Sequence, residues 1–448
     1  MFMDAVQYCA VARNLSDGYG TFWNPQFNLY NIHNLPAFSE QPPLGFGILA
    51  LFYKIFGDSI YIERLYIVIC LFINMFLILK IWQLFAKQNH ILLNYNWLPI
   101  IIWITVPIVF WTYRNNMLEN TMSIFILSAA YYFISWINNA KNIFGLVVGG
   151  IFIYLALLTK GLPGLFPLAI PVIGFLVHRN TTLIKAIFYA TIPLITIVAC
   201  LGITVLIVPE SAVSLKRYFI DRALLRIQNG DTTATETNIL ISLLTQLAAP
   251  IIISILLVWH AKRKHITGYL INKKEVAFLF IIGLCGSLPV LISGVQKQFY
   301  ITPAYPFFAI GFALFWLPII QPGLNKLINN QKLRNFKLAL PTILFIVLIT
   351  LLIVNFGKSS RGKIDIAEAQ KIAAILPENS IVSSTPTIHS NWNFHCYLIR
   401  NHKIYPDVKN KLEYLIIDTR RDNIPDTNYV EVDAGLVQYA MYKKVKGA

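Results

Sequence analysis

The chain has 448 residues, of which 56% are apolar and 13% charged, and its mean hydropathy is +0.60. Soluble domains carry about twice that share of charge, so the composition excludes a soluble fold and points to a polytopic membrane protein. The formal net charge of +16 does not imply nucleic acid, because the basic residues sit in short loops between apolar runs, where lipid phosphate is the anion at hand. The five cysteines lack metal-ligand spacing, and Cys70, Cys200 and Cys285 fall inside apolar runs as small core residues.

In chain order, a polar, aromatic and acidic stretch from Met3 to Arg64 precedes the apolar runs. The spacing predicts a helix from Asp4 to Leu15, with Tyr8, Val11 and Leu15 on the face of Asp4. Asp4 either caps that helix or serves a site. In Glu40-Gln41-Pro42-Pro43 the two prolines fix φ and force extended backbone. Glu40 is thereby held at the membrane surface, as a functional acid or a solvated loop acid. Glu63 and Arg64 head the first span, where a mutual ion pair or interfacial snorkelling is the default.

A span needs about 20 apolar residues, and ten are predicted. They are Tyr61–Leu84, Trp97–Tyr113, Met117–Ile137, Ile143–Leu158, Leu162–Val177, Ala186–Val208, Leu240–Trp259, Val276–Ile292, Ile301–Ile319 and Leu338–Asn355. Alternate connections carry Lys80, Lys87, Lys141, Arg179, Lys185, Lys262, Arg263, Lys264, Lys273, Lys274, Lys326, Lys332, Arg334 and Lys337, opposed by Glu275 alone. The positive-inside rule makes that set cytoplasmic. The N-terminal stretch, the Arg114–Glu119 turn, Lys160, the Pro209–Asn238 loop, the Ser293–Tyr300 turn and the tail then lie outside. An outside N-terminal segment calls for a preceding helix, and the chain starts directly on polar residues; a missing first helix is expected.

From Gly357 the composition turns soluble. Ala367–Leu376 reads as an amphipathic helix, and Ser380–Ser383, Tyr414–Asp418, Tyr429–Val432 and Gln438–Lys443 read as strands. The division is an outer-face catalytic loop with amphipathic helices over 1–60, a transmembrane bundle over 61–355 and a small α/β domain over 356–448. The tail histidines His389, His395 and His402 lack the partners of a metal or nucleophile site.

Several outer-face groups suit chemistry. Glu119 follows Arg114 in a polar turn and enters an apolar span, where an ionisable side chain is costly and often functional. Lys160 in Leu158-Thr159-Lys160-Gly161-Leu162-Pro163 and Lys297, with Tyr300, in Lys297-Gln298-Phe299-Tyr300-Ile301-Thr302-Pro303 are flanked by glycine or proline. Such flanks favour close backbone approach to a phosphate over simple snorkelling. Arg217, Arg222 and Arg226, with Lys216, place cations near one helical face, as a phosphate clamp or a lipid-headgroup anchor.

Taken together, these residues resemble the GT-C membrane glycosyltransferases, in particular bacterial dolichyl-phosphate-mannose-protein-mannosyltransferase-like proteins and lipid A aminoarabinose transferases. The resemblance rests on Asp4-x-x-x-Tyr8 with Ala12-Arg13-Asn14-Leu15, Phe38-x-Glu40-x-Pro42-Pro43-Leu44 and Phe56-Gly57. It continues through Glu63-Arg64, Asn116-x-Leu118-Glu119, Leu158-Thr159-Lys160-Gly161 and Lys297-x-x-Tyr300-x-x-Pro303. It implies a mainly α GT-C fold with a small C-terminal α/β domain, and transfer of a sugar from a polyprenyl-phosphate carrier on the outer face. Asp4 and Glu40 would be the catalytic acids of the first and second outer loops. Tyr8, Arg13, Arg114, Glu119, Lys160, Arg217, Arg222, Lys297 and Tyr300 would contact substrate or carrier phosphate.

Three departures stand out: the family's helix ahead of the Asp4 motif is absent, its frequent second acid is Ala5, and the histidine of its Glu-His-Pro-Pro form is Gln41. The last two leave metal use open. No cofactor is required because the sugar–phosphate bond is already activated; a divalent metal is not indicated. The expected partners are a polyprenyl-phosphate-linked sugar, a glycan, lipid or protein acceptor, and membrane lipids. The expected location is the bacterial inner membrane, with catalytic face and tail outside the cytoplasm. The competing readings are a flippase for a lipid-linked intermediate and a non-catalytic assembly factor. Against a flippase, the sequence shows no internal repeat and no midplane carboxylates.

Overall fold

The computed structural model describes residues 1–28, 37–86, 90–138, 143–179, 182–224, 238–266, 272–329, 350, 354, 361–423 and 428–445. Helix α1 (Met3–Ser16) opens the chain and is buried on both sides instead of being amphipathic. Ala5, Tyr8, Cys9 and Ala12, at helical i, i+3, i+4, i+7 spacing, enter the core of the membrane bundle. Val6 and Ala10, one turn apart on the other side, enter the core of the tail domain. A helix with an apolar stripe on each flank must be sandwiched, and α1 is.

Helix α2 (Leu44–Phe56) starts behind Pro43 and stops at Gly57; its 13 residues rise only about 20 Å, too little to cross a bilayer. Helix α3 (Ile60–Ala86) is long and apolar enough to span, as are α6 (Leu118–Asn138), α9 (Leu183–Ile207), the segment Lys273–Ile292 that includes α13 (Lys273–Ser287), and the segment Gln298–Asn325 within the 3-10 turn Gln298–Ala304 and α14 (Tyr305–Asn329). Two predicted spans are bent. One breaks between α4 (Trp97–Ile104) and α5 (Pro107–Arg114) by 77°, the other between α11 (Ile239–Gln246) and α12 (Ala248–Arg263) by 55°. The first break falls at Val106-Pro107, where the residue before proline is pushed out of helical φ/ψ and Val106 is extended.

The shorter apolar helices are α7 (Phe144–Lys160) and, after the 3-10 turn Leu162–Ala169, α8 (Ile170–His178). Nine predicted spans therefore coincide with apolar helical segments, and the tenth, Leu338–Asn355, lies outside the described residues apart from isolated positions. Helix α6 is the centre of the bundle, whereas α9 is mostly exposed at its rim, as lipid contact requires. Glycine lets α7 lie close to both: a Cβ on Gly149 would collide with Phe133 of α6, and one on Gly150 with Pro193 of α9. The connection after α9 forms helix α10 (Glu210–Tyr218), which runs into a π-helical turn, Phe219–Leu224.

The tail holds a five-stranded sheet in the order β2-β1-β3-β5-β4. Strand β1 (Ile381–Ser384) pairs in parallel with β2 (Tyr405–Asp407) and β3 (Tyr414–Asp418). Strand β5 (Tyr439–Lys444) is antiparallel to β3 and to β4 (Tyr429–Val432). Helices α15 (Lys363–Ala373), α16 (Pro386–Ser390) and α17 (Trp392–His402) complete the domain. Helix α17 packs on α1, which joins tail to bundle.

Of the two defaults for Glu63 and Arg64, a mutual ion pair or snorkelling, the mutual pair does not form. Glu63 is fully buried and holds the guanidinium of Arg400 from α17 at 2.7 Å. Arg64 instead donates to the carbonyl of Arg114. Adjacent residues on a helix point about 100° apart, so one turns inward and the other outward.

Candidate active site

Polar side chains from six separate stretches converge beside the N-terminal half of α1. Asp4 and Tyr8 lie one turn apart on that helix. Glu40 comes from the segment ahead of Pro42-Pro43, Glu119 from the first turn of α6 and Lys160 from the last residue of α7. Arg222 comes from the π turn after α10, and Tyr300 from the 3-10 turn that Lys297 precedes.

Lys160 is the hub. Its ammonium is buried 2.7 Å from Glu119 Oε1. It also faces the rings of Tyr8, Phe299 and Tyr300 at 5.9, 5.6 and 5.6 Å from their centroids, close enough for each ring's negative face to attract it. The backbone around it is fixed as well. Gly161 ends α7 with φ +81°, and the Tyr218 hydroxyl donates to the Lys160 carbonyl at 3.1 Å. A Cβ on Gly161 would strike that tyrosine, so glycine is what admits the ring of α10 to the lysine turn.

Asp4 differs from the other two acids. Glu119 has Lys160, and Glu40 Oε1 holds Arg222 at 2.7 Å. Asp4 has no hydrogen-bond or ion-pair partner among the described residues. Burial raises its carboxyl to about 6; Lys160 and Lys297 pull it down, while Glu40 and Glu119 push it up. The phenol of Tyr8 is raised well above its ordinary value by burial and by Asp4, so it stays neutral beside the carboxylate. Gln41 Nε2 lies 3.5 Å from that phenol oxygen. The result is a largely buried carboxyl raised to about 6, on which the ammonium groups of Lys160 and Lys297 act through space.

The remaining predicted residues lie elsewhere. Arg13 points into the tail, where its guanidinium donates to the carbonyls of Ile399 at 2.9 Å and Arg400 at 3.0 Å at the end of α17. Arg114 is exposed at the end of α5. Arg217 donates to Asn24 Oδ1 at 3.1 Å, and Asn24 and Thr21 both donate to Glu210. Those contacts strap α10 to the N-terminal loop. Arg226 lies outside the described residues. Two further residues join the site without a mark in the sequence pattern: Phe299, which carries no polar signal of its own, and Tyr218, whose spacing of four from Arg222 places both near one helical face. Among the described residues no three His, Cys, Asp or Glu side chains gather as a metal site.

The model of the family described as dolichyl-phosphate-mannose-protein mannosyltransferase matches residues 40–207, from Glu40 to the end of α9. The fold is similar to the crystal structure of ArnT from Cupriavidus metallidurans bound to undecaprenyl phosphate. That match has a TM-score of 0.63 at 13% identity and covers 99% of this chain and 94% of the other. The apo form of that protein matches at 0.63 and 12% identity, over 98% and 93%. The oligosaccharyltransferase of Archaeoglobus fulgidus, in complex with Zn and sulfate, has a TM-score of 0.45 at 10% identity, over 93% and 64%. No curated protein matches by sequence.

Proposed function

We propose that this multi-pass membrane protein is a glycosyltransferase of the GT-C, PMT-like superfamily that transfers a sugar from a polyprenyl-phosphate carrier to an acceptor hydroxyl or phosphate on the outer face of the membrane. The observation that carries the reading is Asp4, without a partner among the described residues and set across from Lys160 and Lys297. A protein of the same fold binds undecaprenyl phosphate, which agrees with a carrier of that class.

For a hydroxyl acceptor, Asp4 takes the proton as its oxygen attacks the anomeric carbon. The bond from that carbon to the phosphate oxygen breaks, and the electron pair leaves with the polyprenyl phosphate. Lys160 and Lys297 meet the charge gathering on the leaving phosphate, in a site dry enough for that attraction to count. Glu40 holds Arg222 until carrier phosphate competes for it. A single displacement from the face opposite the phosphate inverts the anomeric centre. The donor is an activated hexose or pentose. The location that fits the charge sorting is the bacterial inner membrane, with the site and tail outside the cytoplasm.

The test is vesicle reconstitution with undecaprenyl phosphate carrying a radiolabelled sugar, and cell-envelope extract as acceptor. Free undecaprenyl phosphate together with label on the acceptor supports the reading. Carrier crossing the bilayer with its sugar still attached makes the protein a transporter and overturns it.

A further inference from the structure

The tail domain is tied to the bundle through the Arg400 side chain, and to the end of α1 opposite Asp4 through contacts with Arg13 and Asp17. Arg400, buried on the last turn of α17, sends its guanidinium into the head of the bundle. Its Nε lies 2.7 Å from Glu63 Oε1 and its Nη1 2.8 Å from Asp58 Oδ1, while Nη2 lies 3.3 Å from the Tyr53 hydroxyl. Tyr53 in turn donates to Glu63 at 2.7 Å. The grip is reciprocal. Arg13 of α1 donates to the carbonyls of Ile399 and Arg400, satisfying acceptors that a helix end leaves open. Lys403 Nζ reaches Asp17, just past α1, at 3.2 Å. Three tail residues supply these contacts, Ile399 and Arg400 from the last turn of α17 and Lys403 that ends it.

Between these contacts α1 is a layer, with Val6 and Ala10 against the tail and Ala5, Cys9 and Ala12 against the bundle. Lys160 and Glu119 belong to α7 and α6, and their ion pair involves no residue of α1 or the tail. Asp4 does, because its helix has the tail as its second wall.

We propose that Arg400 is a positioning residue for sugar transfer, clamping α1 between tail and bundle so that Asp4 stays aligned with the acceptor while the phosphate site stands on its own. A carboxylate displaced by even 1 Å loses most of its value as a base, whereas lysines on rigid span ends keep their grip on phosphate. The proposal rests on Asp4 acting as base in the reaction above.

The experiment compares wild type with Arg400→Lys, Arg400→Gln and the double variant Arg400→Gln with Glu63→Gln, all full-length in nanodiscs. The double variant removes both buried charges, and Asp58, which also loses its partner, is partly exposed to solvent, so it folds even where the single change does not. Two readouts are taken: kcat and donor KM for transfer from sugar-linked undecaprenyl phosphate, and the rate of site-resolved alkylation of Cys9. That thiol is fully buried on α1, where Asn116 Nδ2 donates to its sulfur at 3.4 Å, and it reacts only when α1 lifts. The expected result for the double variant is about a 10- to 100-fold lower kcat with donor KM within about twofold. Its Cys9 is alkylated on the order of tenfold faster, following the opening of α1. Arg400→Lys, which keeps one ion pair but not the fork, falls between. Unchanged kcat with Cys9 still protected overturns the proposal, as does a loss confined to donor KM. A wild type inactive with every donor removes the catalytic reading and this proposal with it, while faster Cys9 alkylation would still register a brace between tail and bundle.

Discussion

Replacing Lys160 by Met separates what the lysine does for the fold from what it does for the reaction. The change removes an ammonium 2.7 Å from a fully buried carboxylate, Glu119. Removing one member of a buried pair costs about 3–5 kcal/mol, because the other charge is left without compensation. Glu119→Gln should cost less. Lys160 still faces three aromatic rings at 5.6 to 5.9 Å, an attraction of about 0.5–2 kcal/mol, and Asp4 acts on it through space. The double variant buries neither charge and should recover much of the loss, with a coupling of about 2–3 kcal/mol across the cycle. Chemical unfolding of the four proteins in one detergent measures this. Transfer should behave differently, falling about 10²- to 10³-fold in both lysine variants, as for loss of a group that stabilises developing charge. A double variant as unstable as Lys160→Met would refute the structural half of this reasoning. Wild-type transfer without the lysine would refute the catalytic half.

The pH dependence follows from Asp4. With its carboxyl raised to about 6, kcat/KM should fall about tenfold per pH unit below that point, and a profile flat between about pH 4 and 6 would contradict the assignment. The same shift carries a stability cost of known sign. The folded-state value lies above the unfolded value of 3.8, so the penalty is absent below the unfolded value, grows as pH rises and is complete above about 6, at about 3 kcal/mol. Asp4→Asn should therefore melt above wild type at about pH 8, with the gain shrinking toward zero below about pH 4. Gly161→Ala forces a side chain into positive φ against Tyr218; it should cost about 1–3 kcal/mol and raise donor KM, read by thermal unfolding and steady-state kinetics.

Hydropathy alone located nine helical segments of the bundle, because burial in lipid demands long apolar runs. Strands Tyr414–Asp418 and Tyr429–Val432 were legible to the residue, since β-branched and aromatic residues between turn signals have few alternatives. Helix Trp392–His402 was not. Its tryptophan, phenylalanine, histidines, cysteine, tyrosine and isoleucine are indifferent helix formers, and the helix stands because α1 packs on it and Arg13 satisfies its last carbonyls. Asp4 stood out at a helix start, Glu40 ahead of two prolines, Lys160 beside glycine and proline and Glu119 as an acid in a costly place, but their partners did not. Glu119 meets Lys160 only because α6 and α7 are packed neighbours, and Glu63 meets Arg400 from 337 residues away. Such pairings are properties of the tertiary fold and leave no local trace.

As proposed, Asp4 is the base of a transfer reaction at a phosphate site held by other elements. Asp4→Asn keeps the shape and removes the charge, and measuring transfer and undecaprenyl-phosphate binding on the same preparation tests the claim directly. Transfer should fall about 10²- to 10⁴-fold with carrier binding within a few-fold of wild type. An Asp4→Asn protein that turns over like wild type, or one that loses carrier binding in step with transfer, would contradict it.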